Sequence, residues 1–218
     1  MSRPYVYPLW MLAAVGLALW REDAHVCVAA GVGALASQVY AARAWRTSQG
    51  KLALANLLTL LRLAIVATLP FLASHISRAA FIAIVIGLLV LDGIDGWIAR
   101  TRNETSTFGA SLDMETDALT TMVLCLLLHR EGTIGAWVLV PGLWRYVYAT
   151  AIAFVPALGD CPPSPIYRWI FCGLMIALAG AFLPWPPIAR LSAAAGTIAV
   201  SFSFLHSIVR SRAFRARS

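Results

Sequence analysis

Acidic side chains cluster in one short region of this apolar sequence. Of the ten aspartate and glutamate residues, six fall between Asp92 and Asp117. Asp92 and Asp95 are three residues apart, and Asp113 and Asp117 are four apart, so each pair shares one face of a helix. Carboxylates of this kind are the hard oxygen ligands that Mg²⁺ and Mn²⁺ prefer. The spacing therefore predicts a centre for divalent cations.

The number of cations follows from charge balance. Four like charges in one cavity would take up protons unless cations balanced them. Two divalent ions supply four positive charges, so we expect two ions, Mg²⁺ or Mn²⁺, on the four aspartates. Glu115 lies about 200° around the helix from Asp113 and should point away from this site. Glu104 lies in the connecting loop, where solvent is its simplest partner.

Small residues and one arginine stand between the two acid pairs. Gly96 follows Asp95 directly, and Gly109 comes shortly before the second pair. A missing side chain at these positions lets a flat or phosphorylated ligand approach the backbone, and the small Ala99 could do the same. Arg100 is expected at the membrane interface, where it can pair with a phosphate or with an aspartate.

The elements that must position these residues are membrane helices. The chain has 218 residues, 60% of them hydrophobic and 12% charged, with a mean hydropathy of +0.77. This composition excludes a disordered chain and a disulfide-stapled secreted domain, and the scattered basic residues argue against a nucleic-acid binder. We predict an all-α integral membrane protein, because about 20 apolar residues span a bilayer and eight such segments can be placed. They are Tyr5–Trp20, His25–Ala42, Leu52–Ala73, Ala79–Ala99, Phe108–Leu128, Gly132–Leu158, Ile166–Leu183 and Pro187–Val209.

These segments divide the chain into three parts. Residues 1–50 carry two weaker N-terminal membrane helices and a basic juxtamembrane segment, residues 51–210 form a six-helix transmembrane core, and residues 211–218 form a basic cytoplasmic tail. Pro141 and Pro156 predict a kink or an early end in the fourth core segment. Eleven basic residues fall on one side and four on the other, which predicts cytoplasmic termini and a cytoplasmic site in the cell (inner) membrane.

The acid pairs and the small residues between them resemble the signature of the CDP-alcohol phosphotransferase family. That signature reads D-x-x-D-G-x-x-A-R, eight residues, then G-x-x-x-D-x-x-x-D. All eight defining positions are present at the required spacing, over 26 residues. They are Asp92, Asp95, Gly96, Ala99, Arg100, Gly109, Asp113 and Asp117. The segment with Asn56, Thr59 and Arg62 is similar to the N-x-x-T-x-x-R that opens the family's first core helix.

The resemblance implies an enzyme that synthesises phospholipids by a displacement reaction at a phosphorus atom. A hydroxyl attacks the phosphoryl group of a CDP-linked lipid donor, forms a phosphodiester and releases CMP. It also implies a six-helix membrane core and a homodimer. By the same resemblance, the four aspartates hold two metal ions, Asp117 is the general base, and Arg100 lies beside the nucleotide. The cytidine site would be lined by Gly96, Ala99 and Gly109.

The acceptor is less constrained. Arg145, a lone charge in the fourth core segment, could join Arg168 in binding the phosphate of glycerol 3-phosphate or inositol phosphate. A structural alternative for Arg145 is pairing with an acid or a carbonyl. Asn56 and Thr59, like Arg62, either contact substrate or join helices through hydrogen bonds. The favoured function is phosphatidyl transfer from CDP-diacylglycerol to such an acceptor.

Three other functions stay open. The first is transfer from a CDP-alcohol to diacylglycerol, and the second is a cation-coupled transporter whose intramembrane acids bind the ion. The transporter is disfavoured because the acids lie toward one end of their helices and no internal repeat is present. The third is a catalytically silent scaffold, which the intact signature makes a poor explanation.

Overall fold

Helices account for the whole regular structure of the part of the chain described here. The computed structural model describes residues 6–21, 29, 54–102, 106–154 and 165–215, and no strand occurs among them. This confirms the all-α class. The helices are α1 (Val6–Arg21), α2 (Leu54–Leu72), α3 (Arg78–Thr101), α4 (Thr107–Arg130), α5 (Val140–Phe154), α6 (Pro165–Ala181) and α7 (Pro186–Arg215).

Helices α2 to α7 correspond one to one to the six predicted core segments. Three described helices are long and apolar enough to cross a membrane, namely Leu54–Leu72, Arg78–Thr101 and Pro186–Val209. Helix α4 is long enough but less apolar, because it carries Asp113, Glu115 and Asp117. The total of eight spans stays a prediction, since nearly all of the second N-terminal segment, His25–Ala42, and all of the basic segment after it lie outside the described residues.

Helix ends differ from the predicted segments at two places. The fourth core segment, predicted from Gly132, becomes α-helical only at Val140, after a single 3₁₀ turn. Pro141 therefore lies in the first turn of α5, where its missing N–H is harmless, and no kink is needed there; Pro156 lies outside the described residues. At the other end, α7 continues as helix to Arg215, into the predicted tail.

Helix α4 is the central element of the bundle. From Leu119 to Leu128 its side chains are nearly all fully buried, whichever way they point. A helix that is buried on all sides must be surrounded by other helices. Helices α2, α5 and α6 pack against it, while α6 and α7 form the most extensive helix pair. The aspartates of α4 are thus carried by the best-held helix in the molecule.

The connection between α3 and α4 produces an arrangement that the sequence did not indicate. The short loop between α3 and α4, taken by itself, predicts two helices that are antiparallel neighbours. Instead α2 packs against both of them, and α3 and α4 make little direct contact. Arg62 of α2 pairs with carboxylates of both helices, which this arrangement allows. The starts of these two helices are capped by serine side chains. Ser77 accepts a hydrogen bond from a backbone N–H at the start of α3, and Ser106 does the same for α4.

The first N-terminal helix docks on the core. Its buried side chains are Met11, Ala14, Val15 and Ala18, which follow the spacing of one helical face, and α1 packs against α5. Trp10 and Trp20 are exposed. Helix α1 therefore lies alongside α5 with its other faces open to lipid.

A glycine sets the spacing between α4 and α5. A Cβ added to Gly142 would lie 2.9 Å from the Cα of Met122, a backbone atom that cannot swing aside. Gly142→Ala should therefore lower the stability by about 1–3 kcal/mol through overpacking. Thermal unfolding in detergent measures this. The control is Gly173→Ala on α6, where no atom lies within 4 Å of the added Cβ. Equal melting temperatures for the two variants would contradict the assigned contact.

Candidate metal centre

One arginine joins the four aspartates. The Nη1 atom of Arg62 lies 2.9 Å from Asp92 Oδ1, 3.0 Å from Asp95 Oδ2 and 2.9 Å from Asp113 Oδ1. Its Nη2 atom donates to Asp117 Oδ1. The Arg62 side chain is only 4% exposed. Carboxylates from α3 and α4 therefore meet at a buried cation supplied by α2.

A short polar stripe on α2 makes this arrangement possible. Asn56, Thr59 and Arg62 follow one another at three-residue intervals, and all three are buried in a helix of mostly apolar residues. The Thr59 hydroxyl lies 3.1 Å from the carbonyl oxygen of Ala55 and 3.2 Å from Asp95 Oδ2, so its single proton is shared between an acceptor within α2 and one on α3. The stripe therefore holds the aspartate pair of α3 in place.

Three of the aspartates have the separation that a metal ion needs. Asp92, Asp95 and Asp113 each offer one carboxylate oxygen, and these oxygens all lie within 4.8 Å of one another. Around Mg²⁺, oxygens at about 2.0–2.1 Å from the ion lie up to about 4.2 Å apart, so the three oxygens need only close in slightly to bind one such ion. Arg62 Nη1, which lies 2.9–3.0 Å from the same three aspartates, must move aside for that ion to enter. Asp117 stands apart from this triad, on the Nη2 side of Arg62. The aspartate cluster can thus hold a divalent cation.

A small cavity adjoins the cluster on the side of α2 and α3. It has a volume of about 120 Å³ and is bordered by Asp95 and Asp113. The predicted nucleotide residues Gly96, Ala99 and Gly109 all line it. Asn56 and Thr59, grouped in the sequence with possible acceptor residues, also line this cavity and do not lie beside Arg145.

Gly109 is required by the shape of that cavity. A Cβ at this position would lie 2.7 Å from Asn56 Oδ1 and 3.1 Å from the hydroxyl of Ser106. Ser106 also caps α4 by accepting from the Gly109 N–H at 3.0 Å. At the opposite wall, the exposed Arg100 folds back over Gly96, with Nη1 3.2 Å from the position of a Cβ there. Arg100 therefore lies at the rim.

The other two candidate arginines lie elsewhere. Arg145 Nη2 donates to Glu115 Oε1 at 2.9 Å, and Glu115 is buried. Glu115 thus faces α5, away from the aspartate cluster, in the direction that its helical phase predicted. Arg168 is exposed in the first turns of α6. The four residues considered for the acceptor therefore do not converge on one site.

The place of Arg62 at the centre of the cluster was missed in the sequence-based charge balance. That balance set two divalent ions against four carboxylates and left no room for a fifth charged group. Arg62 adds one positive charge, so a cluster loaded with two divalent ions would be net positive and attract a phosphate. The sequence did contain a sign of this contact. Arg62 and Arg145 are the arginines predicted within helices, and a buried charge requires a partner of opposite charge.

Comparison with known proteins adds an independent finding. Residues 52–205 match the profile of the family described as CDP-alcohol phosphatidyltransferase. Two Arabidopsis thaliana proteins are similar over 86 residues: "CDP-diacylglycerol--inositol 3-phosphatidyltransferase 1" at 35% identity and "Probable CDP-diacylglycerol--inositol 3-phosphatidyltransferase 2" at 34%. Each match covers 37% of this chain and 37% of the relative. No solved structure matches significantly.

Removal of the Arg62 charge should destabilise the protein. Arg62→Gln leaves four neighbouring carboxylates without their cation, and breaking a buried pair in this way costs about 3–5 kcal/mol. We expect a lower melting temperature in detergent and a partial recovery when Mn²⁺ is added, because the metal takes over the charge compensation. The matched control is Arg168→Gln, which should melt like the wild type. Unchanged melting of Arg62→Gln in metal-free buffer would contradict the central role of Arg62.

Proposed function

This chain belongs to the CDP-alcohol phosphatidyltransferase family, and on that premise we propose that it transfers a phosphatidyl group from CDP-diacylglycerol to a hydroxyl acceptor and releases CMP. The observation that carries the proposal is the meeting of the signature aspartates at Arg62, beside a cavity lined by the signature's small residues. An arrangement of this kind can hold a nucleotide and its diphosphate next to metal ligands.

The proposed metal ligands are Asp92, Asp95, Asp113 and Asp117, holding two ions of Mg²⁺ or Mn²⁺. The separation of the first three supports this, since their oxygens fit one ion. Bound divalent ions would neutralise the diphosphate and stabilise charge on the attacking and leaving oxygens. Once displaced by the ion, Arg62 supplies a further positive charge beside it and so helps to orient the donor phosphates.

Asp117 is the proposed general base. It lies outside the triad of closely spaced oxygens, with its side chain 19% exposed. A carboxylate that is not fully committed to the triad, and that solvent or substrate can reach, can accept the proton of an attacking hydroxyl. Arg62 holds the Asp117 carboxylate through Nη2 and so sets its orientation.

The nucleotide is proposed to occupy the small cavity. Gly96, Ala99 and Gly109 leave its walls open, so that a flat base can approach the backbone. Arg100 at the rim can pair with a donor phosphate. Asn56 offers an amide to the nucleotide, a role that replaces the acceptor contact considered from the sequence.

The acceptor proposal covers three molecules. Glycerol 3-phosphate and inositol phosphate follow from the sequence-based reading of Arg145 and Arg168. Inositol joins them because the two similar Arabidopsis proteins are named for inositol. The engagement of Arg145 by Glu115 leaves Arg168 as the arginine that is open to an acceptor phosphate.

The site is proposed to face the cytoplasm in the cell (inner) membrane. The aspartates lie in the last turns of α3 and the first turns of α4, near the loop that carries Arg100 and Arg102. Basic residues are retained on the cytoplasmic side of membrane proteins, which supports this orientation. A donor with its acyl chains in the leaflet and its nucleotide at the interface would reach the aspartates there.

Release of CMP tests the reaction class. Purified protein in detergent should release CMP from CDP-diacylglycerol with Mg²⁺ or Mn²⁺ when glycerol 3-phosphate, inositol phosphate or inositol is present. Asp117→Asn should lower the rate at least about 100-fold, because the proton acceptor is lost. Glu131→Gln changes a carboxylate at the opposite end of α4 and should retain activity. An assay with CDP-choline and diacylglycerol tests the alternative in which the lipid is the acceptor and the alcohol is carried by CDP. Folded, metal-binding protein without CMP release under any condition would overturn the proposal.

Nucleotide binding in the small cavity has its own test. Gly109→Ala places a Cβ against Asn56 Oδ1 and should lower kcat/KM for the CDP-linked donor about tenfold or more, because the ligand is displaced. Gly93→Ala is a matched control within the signature, since no atom lies within 4 Å of its added Cβ. Steady-state kinetics of both variants should separate them, and equal kinetics would place the nucleotide elsewhere.

A further inference from the structure

A second and larger cavity lies against α4, beside the stretch of that helix that carries its aspartates. It measures about 280 Å³ and lies between α4, α5, α6 and α7. Helix α4 lines it with Met114, Ala118 and Thr121. Met114 and Ala118 directly follow two of the aspartates in the sequence, and the Thr121 hydroxyl donates to the backbone carbonyl of Asp117 at 2.9 Å. Asp113 thus borders the small cavity, and Asp117 is joined through its backbone to a residue that lines the larger one.

The lining of the larger cavity contains a single charged residue among its described members. Apolar side chains such as Ile170, Phe171 and Phe204 form most of the wall, and Ser203 and Ser207 add hydroxyls. The charged residue is Arg145, whose side chain is 24% exposed. Among the described residues, Arg145 is therefore the one cation that a ligand can meet in this cavity.

The buried carboxylate of Glu115 neutralises the charge of Arg145. Its Oε1 lies 2.9 Å from Arg145 Nη2, and its side chain is only 9% exposed. Arg145 Nε and Glu115 Oε2 are both buried, and neither has a hydrogen-bond partner among the described residues. The pair is thus a compact, net-neutral unit in apolar surroundings, where charges interact strongly.

This balance decides which second substrate the cavity accepts. A phosphate group brings about two negative charges at neutral pH, and burying them requires a cation that no other carboxylate has claimed. An alcohol needs only hydrogen bonds, which the remaining Arg145 N–H groups and the serine hydroxyls can supply. We infer that Glu115, by neutralising Arg145, makes this cavity select an uncharged alcohol as the acceptor and exclude its phosphorylated counterpart.

This inference rests on the proposed function and narrows it. The hydroxyl oxygen of the alcohol forms the new P–O bond, the P–O bond to CMP breaks with its electron pair going to CMP, and the hydroxyl proton passes to Asp117. Glu115 takes no part in these steps. It acts through Arg145 as a specificity-determining residue. Substitution of Glu115 should therefore change the preference among acceptors.

Matched acceptor pairs test the inference. Inositol is compared with inositol phosphate, and glycerol is compared with glycerol 3-phosphate. Diacylglycerol is tested in addition, as an uncharged alcohol that is soluble in lipid. The measured quantity is the ratio of kcat/KM values within a pair, which is independent of the active fraction of enzyme. Wild-type protein should prefer the uncharged member, and Glu115→Gln should shift the ratio toward the phosphorylated member about tenfold or more, because Arg145 becomes an uncompensated cation. Glu131→Gln should leave the ratio unchanged.

Two further variants keep the test decisive. Glu115→Gln combined with Arg145→Gln should lose the shift, since the freed cation is gone. If Glu115→Gln does not fold, Arg145→Gln alone replaces it and should keep or strengthen the preference for the uncharged member. An unshifted ratio in Glu115→Gln, or a wild-type preference for phosphorylated acceptors, would overturn the inference and leave phosphatidyl transfer intact. Absence of CMP release with every acceptor would overturn the proposed function itself.

Discussion

The convergence of four carboxylates at one point among apolar helices, with Asp95 buried and the other three partly exposed, is the constraint on which the rest of the structure depends. Charges of one sign at this spacing repel strongly where water is scarce. Arg62 answers that repulsion by contacting all four aspartates from a third helix. Helix α2 must therefore lie between α3 and α4, and its Thr59 adds a hydrogen bond to the same cluster. One guanidinium cannot balance four carboxylates, which leaves the cluster ready to take divalent cations.

Helix α4 links this cluster to the rest of the bundle. Its first half carries acids that would be costly in lipid, and its second half is almost fully buried by apolar packing. The close approach of α5 at Gly142 is part of that packing. Because α4 is held on all sides, its aspartates point in fixed directions, which a reaction at phosphorus requires.

Two charge pairings of different kind lie around the same helix. The pairing of Arg62 with the aspartates is incomplete and invites further cations, whereas the pairing of Arg145 with Glu115 is balanced one to one. The first pairing suits a site for a diphosphate, and the second suits a cavity for an uncharged ligand.

Much of this protein was determined by local features of its sequence. Apolar runs and their lengths predicted the all-α class and the six core helices, and helical periodicity placed each aspartate pair on one face and Glu115 on another. The tertiary structure decided that α2 separates α3 from α4, that Asn56 and Thr59 join the small cavity, and that Arg145 meets Glu115. Periodicity determines which residues share a face of one helix, but the partner of that face depends on packing between segments far apart in the chain.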